Sequence, residues 1–335
     1  MPLSSPALRF LPVLLALTVA GCFPYSCNRI ESRVLFPQDS TSRAYSATLP
    51  VDTLIVAEQP EWSEMEYPRT VAYAPDGTLW FSDTGRHEVQ YLTADGESGV
   101  ISTDSLQYPY LAGFRGANPV VFSPAASLLA EVRGGWTLQT PQDVPPRALQ
   151  YAAMDSGSVW VKLAGEDFES RLIRYDLDGN EQSRTDLPDP YWRWAGALVL
   201  RSGEPISLSG YRPQIYRFTG GVIDSLSLFG FDSPMLPRSR GFLLGETGQP
   251  PLLTPSGVFV GDDYFALNIR PGWLRIDQFD ADLRLVRSLV EPDPSFGQEF
   301  FPADLAVRRE PDGTLVIAVA VSQPAPEVRI YRAGS

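Results

Sequence analysis

From residue 46 onward, short apolar runs alternate with polar positions at period two, and Gly, Pro and Asp-Gly pairs break the runs. No long segment keeps a helical period, so the pattern predicts an all-β domain. Six segments open on a proline that an apolar strand soon follows: Pro68 before Thr70 and Val71, Pro109 before Leu111, Pro146 before Ala148 and Leu149, Pro190 leading to Ala197 and Leu198, Pro255 before Val258, and Pro302 before Leu305. Proline is tolerated at the first position of a strand, where no ladder donor is yet required, so it serves as a start mark. The six prolines stand 41, 37, 44, 65 and 47 residues apart.

Inside the segments the turns recur. A first turn follows the opening strand at Asp76-Gly77, Gly116-Ala117, Ser156-Gly157, Ser202-Gly203, Asp262-Asp263 and Asp312-Gly313. A second lies at Asp95-Gly96, Gly134-Gly135, Asp178-Gly179, Gly220-Gly221 and Asp280-Ala281. These are hairpin chemistries, in which positive φ favours Gly and Asp. Four strands per repeat of about 40–45 residues make a propeller blade, and six blades need roughly 240–270 residues. Residues 46–335 supply them, with one insertion at 233–254 between blades four and five. The last repeat ends after three strands, while residues 51–56 alternate like a spare strand. The expectation is a six-bladed β-propeller closed by an N-terminal strand that completes the last blade and removes an unpaired edge. The insertion carries Met235, Leu236, Phe242, Leu243, Leu244, Leu252 and Leu253. Either it folds over the channel mouth as a lid or packs against a partner, or it forms an extra hairpin turning at residues 246–248.

The first blade also carries a family likeness. Residues 68–89, from Pro68-Arg69-Thr70 through Ala74-Pro75-Asp76-Gly77 to Ser82-Asp83-Thr84-Gly85-Arg86-His87, resemble an NHL repeat, the blade unit of six-bladed propellers related to the gluconolactonase group. The sixth blade repeats the proline and Pro311-Asp312-Gly313 but has Val321-Ser322-Gln323-Pro324 in place of the Asp-x-Gly segment. The resemblance implies the architecture; for a gluconolactonase-like hydrolase it also implies a divalent ion in the channel, held by Glu, Asn and Asp. Asn118 and Asn180 fall in turns on the far face, which leaves only Asn268 near the channel.

Residues 1–21 carry one charge, Arg9, and an apolar run from Phe10 to Ala20, too short for a membrane span and laid out as a secretory signal peptide. Val19-Ala20-Gly21-Cys22 resembles the bacterial lipobox, which implies cleavage before Cys22 and diacylglycerol on its thiol. Residues 22–45 read as a lipidated tether, and 46–335 as the propeller. Cys27 is the last cysteine, so the domain folds without disulfides. The expected location is the bacterial envelope, outside the cytoplasm, with the membrane as one partner.

The chain of 335 residues has 27 basic and 40 acidic side chains, a net charge of −13. Cleavage before Cys22 removes Arg9 alone and leaves −14, so anionic headgroups repel the folded part and lipid alone holds it. The same charge excludes nucleic acid as a partner. Lys162 is the only lysine, a bias that reads as genome composition.

The domain holds one histidine, His87, and no cysteine, which argues against zinc, copper or haem sites. A Ser-His-Asp triad would have to use His87 with Asp83; a hydrogen-bonding loop histidine is the simpler reading. Asp262-Asp263 and Asp280-Ala281-Asp282 leave calcium open, although neither has EF-hand spacing. One face is richer: the loops entering first strands and those joining second to third strands share one side of the disc. They carry candidate ligand contacts at Arg69, Asp83, Arg86, His87, Tyr110, Arg147, Tyr191, Trp192, Arg193, Tyr211, Arg212, Arg238, Arg240 and Arg270. Arginine and aromatic side chains dominate recognition surfaces. The expected function is a binding or scaffold module for an envelope protein, peptide or glycan, with a metal-dependent lactonase-like hydrolase as the alternative.

Overall fold

The structure is a computed structural model that describes residues 39–102, 107–140, 147–165, 168–270, 274–291, 301–323 and 325–334. Its strands form six sheets arranged as the blades of a propeller. Blade one is β3 (Pro68–Tyr73), β4 (Leu79–Asp83), β5 (Glu88–Leu92) and β6 (Ser98–Ser102). Blade two is β7 (Tyr110–Arg115), β8 (Asn118–Ser123), β9 (Leu128–Glu131) and β10 (Thr137–Gln139). Blade three is β11 (Leu149–Met154), β12 (Val159–Gly165), β13 (Phe168–Tyr175) and β14 (Glu181–Asp186). Blade four is β15 (Leu198–Arg201), β16 (Glu204–Leu208), β17 (Gln214–Thr219) and β18 (Val222–Ser227). Blade five contains β19 (Gly257–Val260), β20 (Asp263–Leu267), β21 (Arg275–Phe279) and β22 (Leu285–Val290); blade six contains β23 (Phe301–Arg309), β24 (Leu315–Gln323) and β25 (Glu327–Ala333).

The sequence explains the radial layering. Second strands are covered on both faces by neighbouring blades, so β4 is buried at every position and β24 reads Leu-Val-Ile-Ala-Val-Ala-Val over its first seven residues. Outer strands meet solvent, and β14 is Glu-Gln-Ser-Arg-Thr-Asp. Asp side chains shape their own turns: Asp76 Oδ1 accepts from the Thr78 N–H at 2.9 Å and Asp312 Oδ1 from the Thr314 N–H at 2.9 Å.

Closure differs in detail from the expectation. Residues 51–56 form two strands rather than one. β1 (Val51–Thr53) lies parallel on β22 as a fifth strand of blade five, and β2 (Ile55–Val56) lies antiparallel on β25 as the fourth strand of blade six. Between them Leu54 is 1% exposed and packs with Leu289, Ile317 and Tyr331, while its N–H donates to Val290 O at 2.8 Å. The segment therefore staples the rims of two blades.

The domain also begins earlier than residue 46. Asp39–Ser46 form helix α1, docked on the rim of blades four and five: Tyr45 donates to Leu285 O at 3.1 Å and packs on Phe229, and Ser42 Oγ accepts from the Gly230 N–H. The signal-peptide and lipidation assignments, and the tether up to residue 38, lie outside the described residues, as does Pro146. The insertion holds helix α2 (Leu236–Leu243) rather than a hairpin. Its Leu236, with Leu253, enters the core between blades four and five.

On the face away from the β4–β5 loop, each blade junction has its own clamp. Arg133 lies over Trp80 and Tyr91, Trp136 Nε1 donates to Leu177 O, Trp160 Nε1 donates to Gly203 O, and Arg201 pairs with Asp262. Arg309 pairs with Asp263 at 2.6 Å, and Arg308 donates to Gly77 O at 3.0 Å across the junction of blades six and one.

Candidate functional site

The innermost strand of every blade borders the central channel, and the residues just after the start prolines reach its mouth. Three contiguous cavities open there. The channel itself, about 300 Å³, is lined from all six blades, including Thr70, Ala72, Ala112, Ala152, Val199, Val258 and Asp304. Two mouth cavities of about 370 and 490 Å³ extend over blades five, six and one and over blades two and three. Arg69 and Tyr151 border all three, and Tyr110 borders two.

Hydrogen bonds between inner strands hold this wall in place. Thr70 Oγ1 accepts from the Leu111 N–H at 2.8 Å and contacts Ser82 Oγ at 2.6 Å. Asp304 does the same one junction earlier, accepting from the Val71 N–H at 2.8 Å and from the Ser256 hydroxyl. One carboxylate thus ties blades five, six and one together. Burial pushes its pKa up to about 6, against the lowering effect of the Ser256, Val71 and Leu305 donors. At Gly113 the wall is close enough that a Cβ would stand 2.6 Å from Met154 O, and its φ of +147° is one that L side chains rarely adopt.

Arg69 is held from below. Asp83 is fully buried and accepts from the N–H groups of Glu66, Tyr67, Gly85 and Arg86 at 2.7–3.1 Å, which folds the strand-entry loop back on the β4–β5 loop. That fold sets Tyr67 beneath Arg69, whose guanidinium lies 4.4 Å from the ring centroid and donates to the Tyr67 hydroxyl at 3.3 Å. Arg69 Nε is buried and unbonded. Tyr151 is backed by Lys162, whose ammonium group lies 4.6 Å from the ring and donates to Gly196 O and, at 3.0 Å, to Ser207 Oγ. Lys162 is completely buried, and desolvation holds its pKa well below the ordinary value. Burial likewise pushes the Tyr151 phenol up.

Of the candidate contacts read from the sequence, the structure brings Arg69, Tyr110 and Arg147 to the mouth. Asp83 organises the loop beneath them. Arg86 pairs with Glu64 and Glu88. His87 Nδ1 accepts from the Tyr108 N–H at 3.0 Å with the two rings edge to face, so it joins blades one and two. Tyr191, Trp192 and Arg193 sit in a 3₁₀ turn (Tyr191–Trp194) after a cis Asp189-Pro190 bond. Tyr211 and Arg212 are only 1% and 3% exposed, and α2 packs on Tyr211. Tyr211 packs on Phe242 and accepts from Gln249, its carbonyl accepts from Ser239, and Arg212 lies over Trp192. These residues hold the insertion down instead of presenting a free surface. Arg238 is exposed on α2 and Arg240 half-buried. Arg270 donates to Asp232 O at 2.6 Å, and burial lowers its pKa.

Tyr151, Asp304 and Ser256 are mouth or channel residues that the sequence reading passed over, whereas Leu252 of the insertion does border a mouth cavity. Ser256 and Asp304 follow Pro255 and Pro302 by one and two positions, the relation that places Arg69 and Tyr110, so the same rule would have found them. Asn268 does not line the channel; it donates to Asp277 and to Asp232 O. The acidic turns are occupied: Asp262 by Arg201, Asp263 by Arg309 and Gln278, and Asp280 by the N–H groups of Asp282 and Arg284. Among the described residues no group of three or more His, Cys, Asp or Glu is placed to hold a metal ion. The Glu-Asn-Asp set implied by the gluconolactonase resemblance therefore has no counterpart in the described channel wall, where Asp304 is the only carboxylate.

No protein-family model and no curated protein sequence matches this chain. Solved structures do resemble it. A virginiamycin B lyase from Staphylococcus aureus superposes with TM-score 0.51 at 12% identity, over 83% of this chain and 88% of that one. A calcium-binding regucalcin from Agrobacterium tumefaciens gives 0.51 at 14%, over 85% and 97%. A gluconolactonase from Xanthomonas campestris gives 0.52 at 12%, over 85% and 98%. At such identities the likeness speaks to fold alone, and it agrees with the strand order in making this chain a six-bladed β-propeller.

Proposed function

We propose that the chain is an exported lipoprotein that displays a six-bladed propeller outside the cytoplasm and binds an envelope protein, peptide or glycan at the channel mouth. The observation that carries this reading is the meeting of three cavities at Arg69 and Tyr151, on a wall tied together by Asp304, Ser256 and Thr70. Recognition sites are concave and largely apolar, with a few fixed polar groups, and this mouth has that make-up. The lipobox-like Val19-Ala20-Gly21-Cys22 supports anchoring, and the docked α1 brings the chain from residue 39 onto the rim of blades four and five. Replacing Cys22 by Ser should shift the protein from the membrane fraction to a soluble or unprocessed form; unchanged fractionation and mass would refute anchoring. Filling the channel with Ala72→Trp should abolish retention of envelope material by the full chain, whereas undiminished retention would refute the mouth as the site.

A second reading has support of its own. Fold relatives include enzymes named as a gluconolactonase and a virginiamycin B lyase, and Asp304 is a channel carboxyl with a raised pKa. It would make the chain a hydrolase or lyase. The described donors do not form the metal site of a lactonase-like hydrolase, so uptake of Ca²⁺, Mn²⁺ or Zn²⁺ at one site per chain, with lactone turnover, would favour this reading over the first.

A further inference from the structure

The mouth holds two guanidinium groups, Arg69 where the three cavities meet and Arg147 at the rim, above an apolar floor, and charge and floor specify different parts of one ligand. Arg69 borders all three cavities, and no described carboxylate pairs with it. Arg86, Arg115, Arg275, Arg287, Arg308 and Arg329, by contrast, each have an acidic partner. Its guanidinium rests on Tyr67 and its Nε has no acceptor. The guanidinium spends one Nη donor on the Tyr67 hydroxyl and has no described anionic partner, so its remaining planar donors fit a planar oxyanion. The other charge of the channel does not compete for Arg69, because the Asp304 oxygens already accept from Val71 and Ser256. Below the mouth the wall is Ala72, Ala112, Ala152, Val199 and Val258, side chains that give no hydrogen bond to a sugar hydroxyl. The rings of Tyr110 and Tyr151 flank the way in.

We propose that the mouth binds a carboxylate carried on an apolar or aromatic body, with the carboxylate on Arg69 and the body directed down the channel past Tyr110 and Tyr151. This rests on the mouth being the binding site. The apolar floor argues against a neutral glycan. Two sources share the chemistry, the C-terminal residue of a peptide and a free small-molecule acid. Arg147, exposed at the rim of the same cavity, adds attraction for an anion as it approaches.

The test is calorimetric titration of the purified full chain with 3-phenylpropionate, N-acetyl-phenylalanine and the tripeptide Ala-Ala-Phe, the last two each as free acid and as C-terminal amide. The acids should bind at least tenfold more tightly than their amides. Arg69→Gln should cost the acids at least tenfold and leave the amides unchanged, and Arg69→Lys should restore part of the loss; urea midpoints establish that both variants fold. A tripeptide acid that binds more tightly than phenylpropionate assigns the peptide source, and the reverse order assigns the small acid. Equal binding of acid and amide, or acid binding unaffected by Arg69→Gln, overturns the carboxylate assignment and leaves the mouth as a site. If no probe binds, the assignment falls as well; loss of envelope retention in Ala72→Trp then keeps the mouth as a site, and unchanged retention removes both.

Discussion

Leu54 is where the ring closes, and it isolates the contribution of closure in one side chain. Its neighbours in the staple, Val51, Ile55 and Val56, are 62%, 64% and 50% exposed, while Leu54 is 1% exposed among the side chains of blades five and six. Truncating a fully buried leucine to alanine costs about 2–5 kcal/mol, through lost transfer energy and the cavity left behind. The site touches two blades, so little of that cavity can collapse without opening the seam, which places the expected value for Leu54→Ala at about 3 kcal/mol or more. Val51→Ala, Ile55→Ala and Val56→Ala should each stay within about 0.5 kcal/mol, as exposed substitutions do. Equilibrium urea denaturation followed by tryptophan fluorescence measures all four. A chain starting at residue 57 loses both strands and should unfold at lower urea than Leu54→Ala; a chain starting at residue 39 should match the full-length domain. If Leu54→Ala costs less than 1 kcal/mol, or the chain starting at 57 is as stable as the one starting at 39, the closure argument is wrong.

Four further outcomes follow from buried groups. Lys162 supplies the only side-chain amine and is fully buried, so acylation by an N-hydroxysuccinimide ester should leave it unmodified in the native protein and reach it in urea; native labelling would contradict the packing. Its folded pKa lies below the unfolded one, so between the two the unfolded chain holds the extra proton and stability should rise with pH toward about 10.4; Lys162→Met should remove that rise from the urea midpoints. Asp304 has the opposite sense: its folded pKa, near 6, is above the unfolded value of about 3.9, so its contribution is present below about pH 4 and lost as pH rises through 6. The stability of Asp304→Asn relative to the parent should therefore increase over that interval by on the order of 1–2 kcal/mol, and a flat difference would refute the burial. Phe242→Ala removes the ring that α2 sets on Tyr211 and should expose Tyr211 to nitration by tetranitromethane, with a cost of about 2–3 kcal/mol; an unreactive Tyr211 would show that another contact covers it.

The start prolines and Asp-Gly turns made the blades legible, because both mark positions where backbone chemistry, more than tertiary context, decides the residue. The split at Leu54 was not legible. Residues 51–53 and 55–56 alternate alike, and whether each pairs parallel or antiparallel depends on where the chain reaches the rim. Helix α2 was hidden for a different reason: Pro-Arg-Ser-Arg-Gly is poor helix composition, and the helix persists through Leu236 in the core and the Ser239 bond to Tyr211 O. The same burial explains the misplacement of Tyr211 and Arg212, whose loop position was read correctly but whose cover was not. Arg69 and Tyr110 were visible because they directly follow start prolines. Tyr151 was missed because it stands five residues after Pro146, and Lys162 because a lone lysine reads as composition until its surroundings are known.

Photocrosslinking in intact cells tests the channel mouth most directly as the working surface. A benzophenone amino acid placed at Gln150 or Phe301, exposed residues bordering the two mouth cavities, is compared with one at Asp95 or Asp178, exposed turns on the opposite face. Adducts to an envelope component should form from Gln150 and Phe301, be lost in Arg69→Gln, and be absent from Asp95 and Asp178. Adducts of equal yield from both faces, or from the far face alone, would contradict it.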